Sequence, residues 1–214
     1  MKIAVLGTGM VGAAIGGRLA SLGHQVKMGS RHAGNEKALE WVKKNGTNAT
    51  EGAFADAAAF GEIVFNCTSG GASLEALKQA GAQNLKGKVL IDIANPLDMS
   101  KGMPPTLSVC NNDSLGEQIQ RQFPEAKVVK TLNTLTCSLM VNPSLLKGEH
   151  DVFMSGNDPG AKAQVSDILK GFGWKNVIDL GDITTARGTE MFLPLWIRLY
   201  GALQTPNFNV HIAR

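Results

Sequence analysis

The stretch that decides the fold is KIAVLGTGMVG at residues 2–12, followed by AAIGGRLASLG at residues 13–23. A short aliphatic strand leads into three glycines spaced Gly7-x-Gly9-x-x-Gly12, and a helical pattern follows directly. Gly7 allows a tight turn, Gly9 leaves the backbone bare where a pyrophosphate approaches, and Gly12 lets the helix pack close to the strand. The free N–H groups of the helix N-terminus favour an anion. We interpret the stretch as a dinucleotide-binding site rather than an ordinary strand–turn–helix, because all the required elements occur in order.

The end of the second strand predicts which dinucleotide is bound. This strand covers residues 25–28, and Ser30 and Arg31 follow where an NAD site usually carries an Asp or Glu for the ribose 2′-hydroxyl. A guanidinium binds a 2′-phosphate through a forked pair of charge-assisted hydrogen bonds, whereas a carboxylate repels it. Ser30 and the nearby Lys37 add further donors. The sequence therefore favours NADP(H) over NAD(H). In the alternative interpretation, Arg31 is a solvated surface charge and Ser30 only caps the next helix.

Composition sets the broad class of the protein. The chain has 214 residues, 43% of them apolar, and a formal net charge of +3. This length suits one large domain, or a nucleotide-binding domain with a small addition. The mild charge and the lack of a basic run argue against nucleic acid as a partner. Three widely spaced cysteines favour free thiols in a reducing compartment.

The location of the protein is expected to be the cytoplasm, with no membrane association. The sequence opens on the first strand without a signal-peptide pattern. It also contains no apolar run near the ~18 residues that a transmembrane helix needs.

Strand and helix patterns alternate through the first two-thirds of the chain, which indicates a parallel sheet. We therefore predict an α/β fold of the doubly wound Rossmann type, with a mainly parallel sheet. The predicted strands after the first two cover residues 62–67, 88–94 and 127–132, and the predicted helices cover residues 35–44, 72–79 and 114–122. Residues 47–58 are predicted as loop and short helix, and residues 100–112 as a long loop beside the sheet.

The rhythm changes after about residue 134, where a small C-terminal α/β extension is predicted. It contains strands at residues 151–155 and 176–180, helices at residues 158–170 and 187–203, and an edge strand formed by Phe208, Val210 and Ile212. We expect residues 1–135 to form an NADP-binding Rossmann domain. Residues 136–214 are expected to form a small domain that completes the substrate cleft. The wide apolar face of the last helix is a candidate dimer interface, although internal core is the more common use of such a face.

Polar residues at the strand ends carry the predicted chemistry, because ligands of open parallel sheets lie outside the carboxyl ends of the strands. The predicted cofactor-binding residues are Gly7, Thr8, Gly9, Met10, Val11, Gly12, Ser30, Arg31, Lys37, Thr68 and Ser69. The predicted lining of the hydride path is Asn95, Pro96, Asn133 and Thr134. Turn formation is an equally good explanation for any one of these last four residues taken alone.

The sequence offers no residue that can be assigned as a general acid or base. No Ser-His-Asp order and no metal-ligand spacing stands out. A dehydrogenase of alcohols normally needs a proton acceptor beside the carbon that loses hydride. Hydride exchange between two ring cofactors needs only close, oriented rings in dry surroundings.

The chain resembles the deazaflavin-dependent NADP oxidoreductases, which pass hydride between NADPH and an 8-hydroxy-5-deazaflavin, also called factor 420. The matching stretches are KIAVLGTGMVG, GHQVKMGSR, KVLIDIANPLD, KVVKTLNTL and DLGDITTARGTEMFLPLWIRLYG. The resemblance implies that Thr8, Ser30 and Arg31 contact NADP. It places Asn95, Pro96, Asn133 and Thr134 near the hydride path, and the deazaflavin in a cleft beside a small C-terminal domain.

Three functions follow as hypotheses. The leading one is an NADPH-dependent oxidoreductase that exchanges hydride with a deazaflavin or a flavin, working as a homodimer on small molecules. The second is an NADP-dependent reductase or dehydrogenase of a small carbonyl compound, but the region after residue 135 is short for the helical domain that such enzymes append. The third is a non-catalytic NADPH sensor, favoured only by the apolar face at residues 191–203.

Overall fold

The fold is that of a computed structural model, which describes residues 1–213. The first part of the chain contains β1 (Lys2–Leu6), α1 (Met10–Ser21), β2 (Gln25–Ser30), α2 (Glu36–Asn45), β3 (Ala49–Ala53), α3 (Phe54–Phe60), β4 (Ile63–Asn66), α4 (Gly70–Ala80), α5 (Ala82–Leu85) and β5 (Val89–Asp92). The second part contains β6 (Leu97–Asp98), β7 (Thr106–Leu107), α6 (Leu115–Gln122), β8 (Lys127–Thr131), α7 (Cys137–Val141), β9 (Asp151–Gly156), α8 (Pro159–Phe172), β10 (Asn176–Asp179), α9 (Ala186–Met191) and α10 (Leu193–Leu203).

One eight-stranded sheet organises the molecule, in the order β10-β9-β8-β5-β4-β1-β2-β3. Every neighbouring pair is parallel except β8 and β9. The chain starts at β1, runs outward through β2 and β3, and returns to β4 on the other side of β1. The strand order therefore reverses between β1 and β4, where a doubly wound sheet opens a ligand crevice. The predicted Rossmann-type α/β class is confirmed.

Helices cover both faces of the sheet, so the inner strands are apolar on both sides. One core contains Ile15 and Leu19 of α1, Trp41 of α2 and Phe172 of α8. The other core packs α3, α4, α6 and α9 against the opposite face. The four residues of β5 are all buried, which holds its carboxyl end in a fixed place.

Two predictions for the N-terminal part are wrong in detail. The segment predicted as loop and short helix contains β3, which pairs in parallel with β2. Its sequence ATEGA is polar and short because it forms an edge of the sheet, and edge strands need no continuous apolar pattern. The long loop at residues 100–112 contributes β7, which forms a small antiparallel pair with β6.

The C-terminal predictions require three corrections. The helix predicted at residues 187–203 is divided into α9 and α10 at Phe192, because Pro194 has no N–H to donate and its ring crowds the preceding turn. The predicted edge strand does not form. Phe208 instead stacks on Trp196 with ring centroids 5.2 Å apart, and the Val210 carbonyl accepts one hydrogen bond from the Asp151 amide at 3.0 Å. The sequence reading also missed the short helix α7.

The C-terminal strands extend the same sheet that β1 begins. β9 pairs with β8, and β10 pairs with β9. Helix α9 packs against α6 on the sheet face opposite α1. The division of the chain at residue 135 stays a prediction.

Candidate functional site

The glycine turn after β1 has the geometry that the sequence predicts. Gly7 has a φ of +119°, and a Cβ there would lie 2.6 Å from the Cys67 carbonyl oxygen. A Cβ on Gly12 would lie 2.0 Å from the Gly7 carbonyl oxygen. A Cβ on Gly9, in contrast, would have no heavy atom within 4 Å. The packing of the protein itself thus requires glycine at residues 7 and 12, whereas the lack of a side chain at Gly9 leaves space that a ligand can enter.

Two helix N-termini open beside this turn. The N-cap residues are Gly9 for α1 and Ser69 for α4, and neither makes a side-chain capping bond within residues 1–213. The first N–H groups of both helices therefore remain available, and helix N-termini attract anions. A dinucleotide pyrophosphate fits this position in charge and in space.

A cleft of about 680 Å³ lies beside the turn. Seven of the predicted cofactor residues line it: Gly7, Thr8, Gly9, Ser30, Arg31, Thr68 and Ser69. The opposite wall is the outer face of α4, with Ala72, Glu75, Ala76 and Gln79. The structure thus brings together residues from the ends of three strands in one cleft long enough for an adenosine.

Arg31 lies exposed at the rim of this cleft. Its guanidinium makes no ion pair with any residue between Met1 and Ala213. The Glu51 carboxylate accepts a hydrogen bond from the Gly34 amide at 3.0 Å and so holds the turn after Arg31. Ser30 is buried, and its hydroxyl donates to the His32 carbonyl. Ser30 therefore shapes the turn, while Arg31 is the cation left for a ligand.

Four predicted cofactor residues lie elsewhere. Met10, which is 81% exposed, and Lys37 line an adjoining groove of about 910 Å³ between α1 and α2, which shares Thr8 and Gly9 with the cleft. Val11 is half-buried against the core, and Gly12 is buried in α1. Val11 and Gly12 can serve an anion only through their backbone N–H groups. The structure does not place Lys37 on the cleft that Arg31 lines.

The predicted hydride-path residues meet at the ends of β5 and β8. The Asn95 side chain donates to the Asn133 carbonyl at 2.8 Å, and the Asn133 side chain donates to Asn95 Oδ1 at 2.9 Å. Asn133 also donates to the Thr189 carbonyl of α9 at 3.0 Å. Pro96 and Thr134 beside them are buried. The pair joins the two strand ends and holds the C-terminal helix α9 against them, and none of the four predicted hydride-path residues lines the cleft that Arg31 lines.

A buried ionic cluster beneath this pair was not predicted from the sequence. Lys130 Nζ lies 2.7 Å from Asp92 Oδ2 and 2.8 Å from Glu190 Oε1. Glu190 also accepts hydrogen bonds from the Leu115 and Gly116 amides at the start of α6, at 2.8 and 3.0 Å. Burial by itself would lower the pKa of Lys130, but the two carboxylates outweigh burial and raise that pKa above its ordinary value. The available signal was weak: a lysine and an aspartate lie within two predicted core strands, in KVVKT and VLID.

A second polar chain connects this cluster to the cleft. Asn66 donates to Asp92 Oδ1 at 2.8 Å and accepts from the Thr68 hydroxyl at 2.6 Å. The Ser73 hydroxyl of α4 accepts a hydrogen bond from the Asn66 side chain and shares another with the Thr68 hydroxyl. Burial, with the Asp92 charge adding to it, raises the pKa of the neighbouring Cys67 thiol. Cys67 is therefore a packing residue of the turn and remains protonated.

Two further observations concern metal binding and membrane spans. Within residues 1–213, no three His, Cys, Asp or Glu side chains are grouped so that they could hold a metal ion. None of the helices in the same range combines the length and the apolar character that a membrane span requires.

Known proteins resemble the chain over most of its length. A family model described as NADP oxidoreductase coenzyme F420-dependent matches residues 2–96. The F420-dependent NADP reductase of Methanocaldococcus jannaschii is 31% identical over 93% of this chain and 92% of its own. A crystal structure from Arthrobacter sp. FB24, provisionally assigned as an F420-dependent NADP-reductase, is 59% identical, covers both chains completely and has a TM-score of 0.97. The metalloreductase STEAP3 of Rattus norvegicus is 26% identical over 91% of this chain but only 38% of its own.

Proposed function

Because the chain belongs to the family of F420-dependent NADP oxidoreductases, as its sequence motifs predict, we propose that it transfers hydride between NADP(H) and coenzyme F420. The observation that carries the proposal is that one cleft combines open space over Gly9 with the Arg31 guanidinium, which makes no ion pair within residues 1–213. The relative with this activity in its name aligns over nearly the whole chain, including both halves of the site.

The cleft supports one orientation of NADP(H). The pyrophosphate lies over Gly9, where the N-terminus of α1 supplies N–H donors. The adenosine occupies the cleft beside α4, and its 2′-phosphate meets Arg31 at the rim. The nicotinamide then extends across the switch point toward Asn95 and Asn133, because a ligand of an open parallel sheet lies outside the carboxyl ends of its strands.

The chemistry needs orientation rather than a proton-transferring side chain. When both are bound, a hydride moves between the nicotinamide and the deazaflavin, and water supplies or takes up the accompanying proton. The groups at the strand ends are the buried Thr134 hydroxyl and two side-chain amides that hydrogen-bond across the strand ends, one of which, Asn133, also donates to the Thr189 carbonyl of α9. Fixed amides orient rings and exclude water, which is what hydride exchange between two ring systems requires.

A flavin is the second candidate acceptor, because hydride exchange with its ring system also needs orientation rather than a proton-transferring side chain. The small-carbonyl alternative has less support, since a carbonyl reductase needs a proton donor near the nicotinamide. Lys130 is the nearest cation to the Asn95–Asn133 pair, but it is fully buried and its ammonium is held by two carboxylates.

We also propose that α10 is covered by a second copy of the chain. Of its eleven residues only Leu193 is buried, whereas Leu195, Tyr200 and Leu203 are between 44% and 54% exposed. An apolar helix face exposed to this extent is characteristic of an interface.

A panel of acceptors tests the proposed function. Purified protein is mixed with NADPH and, separately, with F420, riboflavin phosphate or small carbonyl compounds, and the absorbance of the reduced nicotinamide is followed. Fast loss with F420 and little loss with the carbonyl compounds is expected. Turnover with a carbonyl compound alone would instead support a reductase of small carbonyl compounds. Tight NADPH binding without any turnover would support a non-catalytic NADPH sensor.

A further inference from the structure

We infer that Lys130 is a positioning residue for hydride transfer, because its ammonium group fixes the two strand ends that carry Asn95 and Asn133. The inference rests on the proposed function for its catalytic consequence. Lys130 itself is fully buried and touches no ligand space, so it acts through the groups that it holds.

Two of the three bonding partners of Lys130 lie beside the Asn95–Asn133 pair. Its Nζ donates to the carbonyl oxygen of Ala94, the residue before Asn95. It also pairs with Glu190, the residue after Thr189, whose carbonyl accepts from Asn133. One ammonium thus connects the end of β5, the end of β8 and helix α9.

The backbone between Lys130 and Asn133 needs such support. Leu132 has a φ of +61°, a left-handed conformation that a leucine keeps only where its surroundings enforce it. The side chain of Thr131, just before it, donates to the Phe153 carbonyl at 2.6 Å. The segment is therefore held on one side by β9 and on the other by the Lys130 cluster.

Stability alone does not explain a buried charged cluster. Apolar residues of similar volume often replace buried ion pairs with no loss of stability. An apolar side chain, however, cannot bond the Ala94 carbonyl or hold Glu190 in place. The ammonium therefore fixes the orientation of the Ala94 carbonyl and of the Glu190 side chain. Both lie at the edge of the sheet where the nicotinamide is proposed to bind.

Asp92 extends the same role toward the adenosine cleft. Its Oδ2 binds Lys130, and its Oδ1 accepts from Asn66, which in turn holds the Thr68 hydroxyl. Thr68 lines the cleft. Both ends of the crevice therefore share one buried hydrogen-bonded network, with Lys130 at the end nearer the nicotinamide.

The test uses a double variant that removes Lys130 and the charge of Asp92 together, so that the net charge of the buried cluster does not change. Lys130→Met combined with Asp92→Asn keeps an amide oxygen for Asn66 and leaves Glu190 with its two amide donors from α6. The matched control is Glu117→Gln combined with Arg187→Met, which removes another ion pair between α6 and α9 that has no contact with the strand ends. Thermal unfolding verifies that both variants fold.

Two readouts separate positioning from a structural role. In hydrogen exchange of the protein without cofactor, the segment 132–135 is expected to exchange faster in the Lys130 variant and not in the control. In steady-state assays with NADPH and F420, kcat is expected to fall about 10- to 100-fold, the usual effect of misplaced reacting groups. The KM for NADPH is expected to stay within about threefold, because the phosphate contacts remain.

Unchanged exchange and unchanged kcat in the folded double variant would overturn the inference. If the double variant does not fold, Glu190→Gln takes its place, since it removes one carboxylate but keeps an oxygen for the α6 amides, and the same two readouts decide. If the wild-type protein does not reduce F420, the proposed function fails, while the exchange measurement still tests what Lys130 holds.

Discussion

Asn95 and Asn133 hold each other across 38 residues of sequence, each donating one side-chain hydrogen bond to the other residue. They lie at the carboxyl ends of β5 and β8, which are neighbours in the sheet. The pair joins the two strand ends into one rigid edge, to which α9 is bound through the Thr189 carbonyl. The C-terminal part of the chain is thereby positioned against the crevice.

Replacing Asn133 with alanine should reduce both stability and turnover. The side chain is 2% exposed, so its loss leaves Asn95 Oδ1 and the Thr189 carbonyl without their donor. An unsatisfied buried group costs about 1–3 kcal/mol. Chemical denaturation measures the first effect and kcat with saturating NADPH the second. A variant with normal kcat would mean that this edge does not orient the nicotinamide.

Arg31→Ala should weaken NADPH binding and leave NADH binding nearly unchanged. The guanidinium is unpaired within the described chain, and a hydrogen bond to a charged group contributes about 1.5–3 kcal/mol. Isothermal calorimetry with both dinucleotides measures the difference. Lys37→Ala is the comparison variant, and a smaller loss is expected because Lys37 lines the adjoining groove beside α1 and not the cleft that Arg31 lines. Equal losses for NADPH and NADH would rule out a 2′-phosphate role for Arg31.

The glycines of the turn should separate binding from folding. Gly9→Val is expected to abolish cofactor binding but not folding, because a Cβ there would have no protein heavy atom within 4 Å and the side chain would enter the proposed pyrophosphate space. Gly12→Ala should lower the stability of the protein itself by about 1–3 kcal/mol or more, since its Cβ would lie 2.0 Å from the Gly7 carbonyl oxygen. Thermal unfolding and NADPH titration of both variants provide the check. Loss of fold in Gly9→Val would contradict the assignment of this space to a ligand.

Lowering the pH should break the Asp113–Arg121 ion pair at the start of α6 when Asp113 becomes protonated. The two hydrogen bonds from Arg121 lower the pKa of Asp113 to about 2. Because this pKa is depressed, the pair stabilises the protein above the ordinary pKa of about 3.9, and the contribution is lost as the pH falls through about 2. Arg121 is more than half exposed, so the contribution should be at most about 1 kcal/mol. In Arg121→Met, an NMR titration should find the Asp113 pKa close to its ordinary value. A pKa still near 2 would show that Arg121 does not cause the depression.

A charge on α10 should separate the two subunits of the proposed dimer. Leu195 is 54% exposed on the face that is expected to be covered. Leu195→Glu would place a carboxylate in an apolar contact, which costs several kcal/mol when the charge has no partner. Sedimentation at several protein concentrations should give a dimer for the wild type and a monomer for the variant. A wild-type monomer would leave α10 without the proposed partner.

Much of the fold follows from local sequence patterns. The order of strand, Gly7, Gly9, Gly12 and helix predicts the first unit because every requirement lies within a dozen residues, as the φ of Gly7 and the contacts of Gly12 bear out. Strand β3 was missed because its five residues form the edge of the sheet, where hydrogen bonding to β2 replaces apolar burial as the reason for the strand. The break before α10 depends on one residue, Pro194, inside an otherwise continuous apolar pattern.

The site was predictable only as far as strand ends could be recognised. Thr68 and Arg31 follow their strands directly, so the sheet topology brings them to one cleft. The Lys130–Asp92–Glu190 cluster joins three elements that are distant in sequence, and no spacing within the chain marks it. A lysine within KVVKTL resembles a solvated residue until the neighbours on both faces of the sheet are known. The roles of the individual site residues remain predictions.

The most direct measurement follows a label from NADPH to F420. Protein, F420 and NADPH deuterated at the transferring position of the nicotinamide are mixed, and reduced F420 is analysed by mass spectrometry. Direct transfer predicts one deuterium in each reduced F420 formed, at a rate set by the protein concentration. Reduced F420 without deuterium, or no reduction of F420 at all while NADPH binds, would contradict hydride transfer between the two.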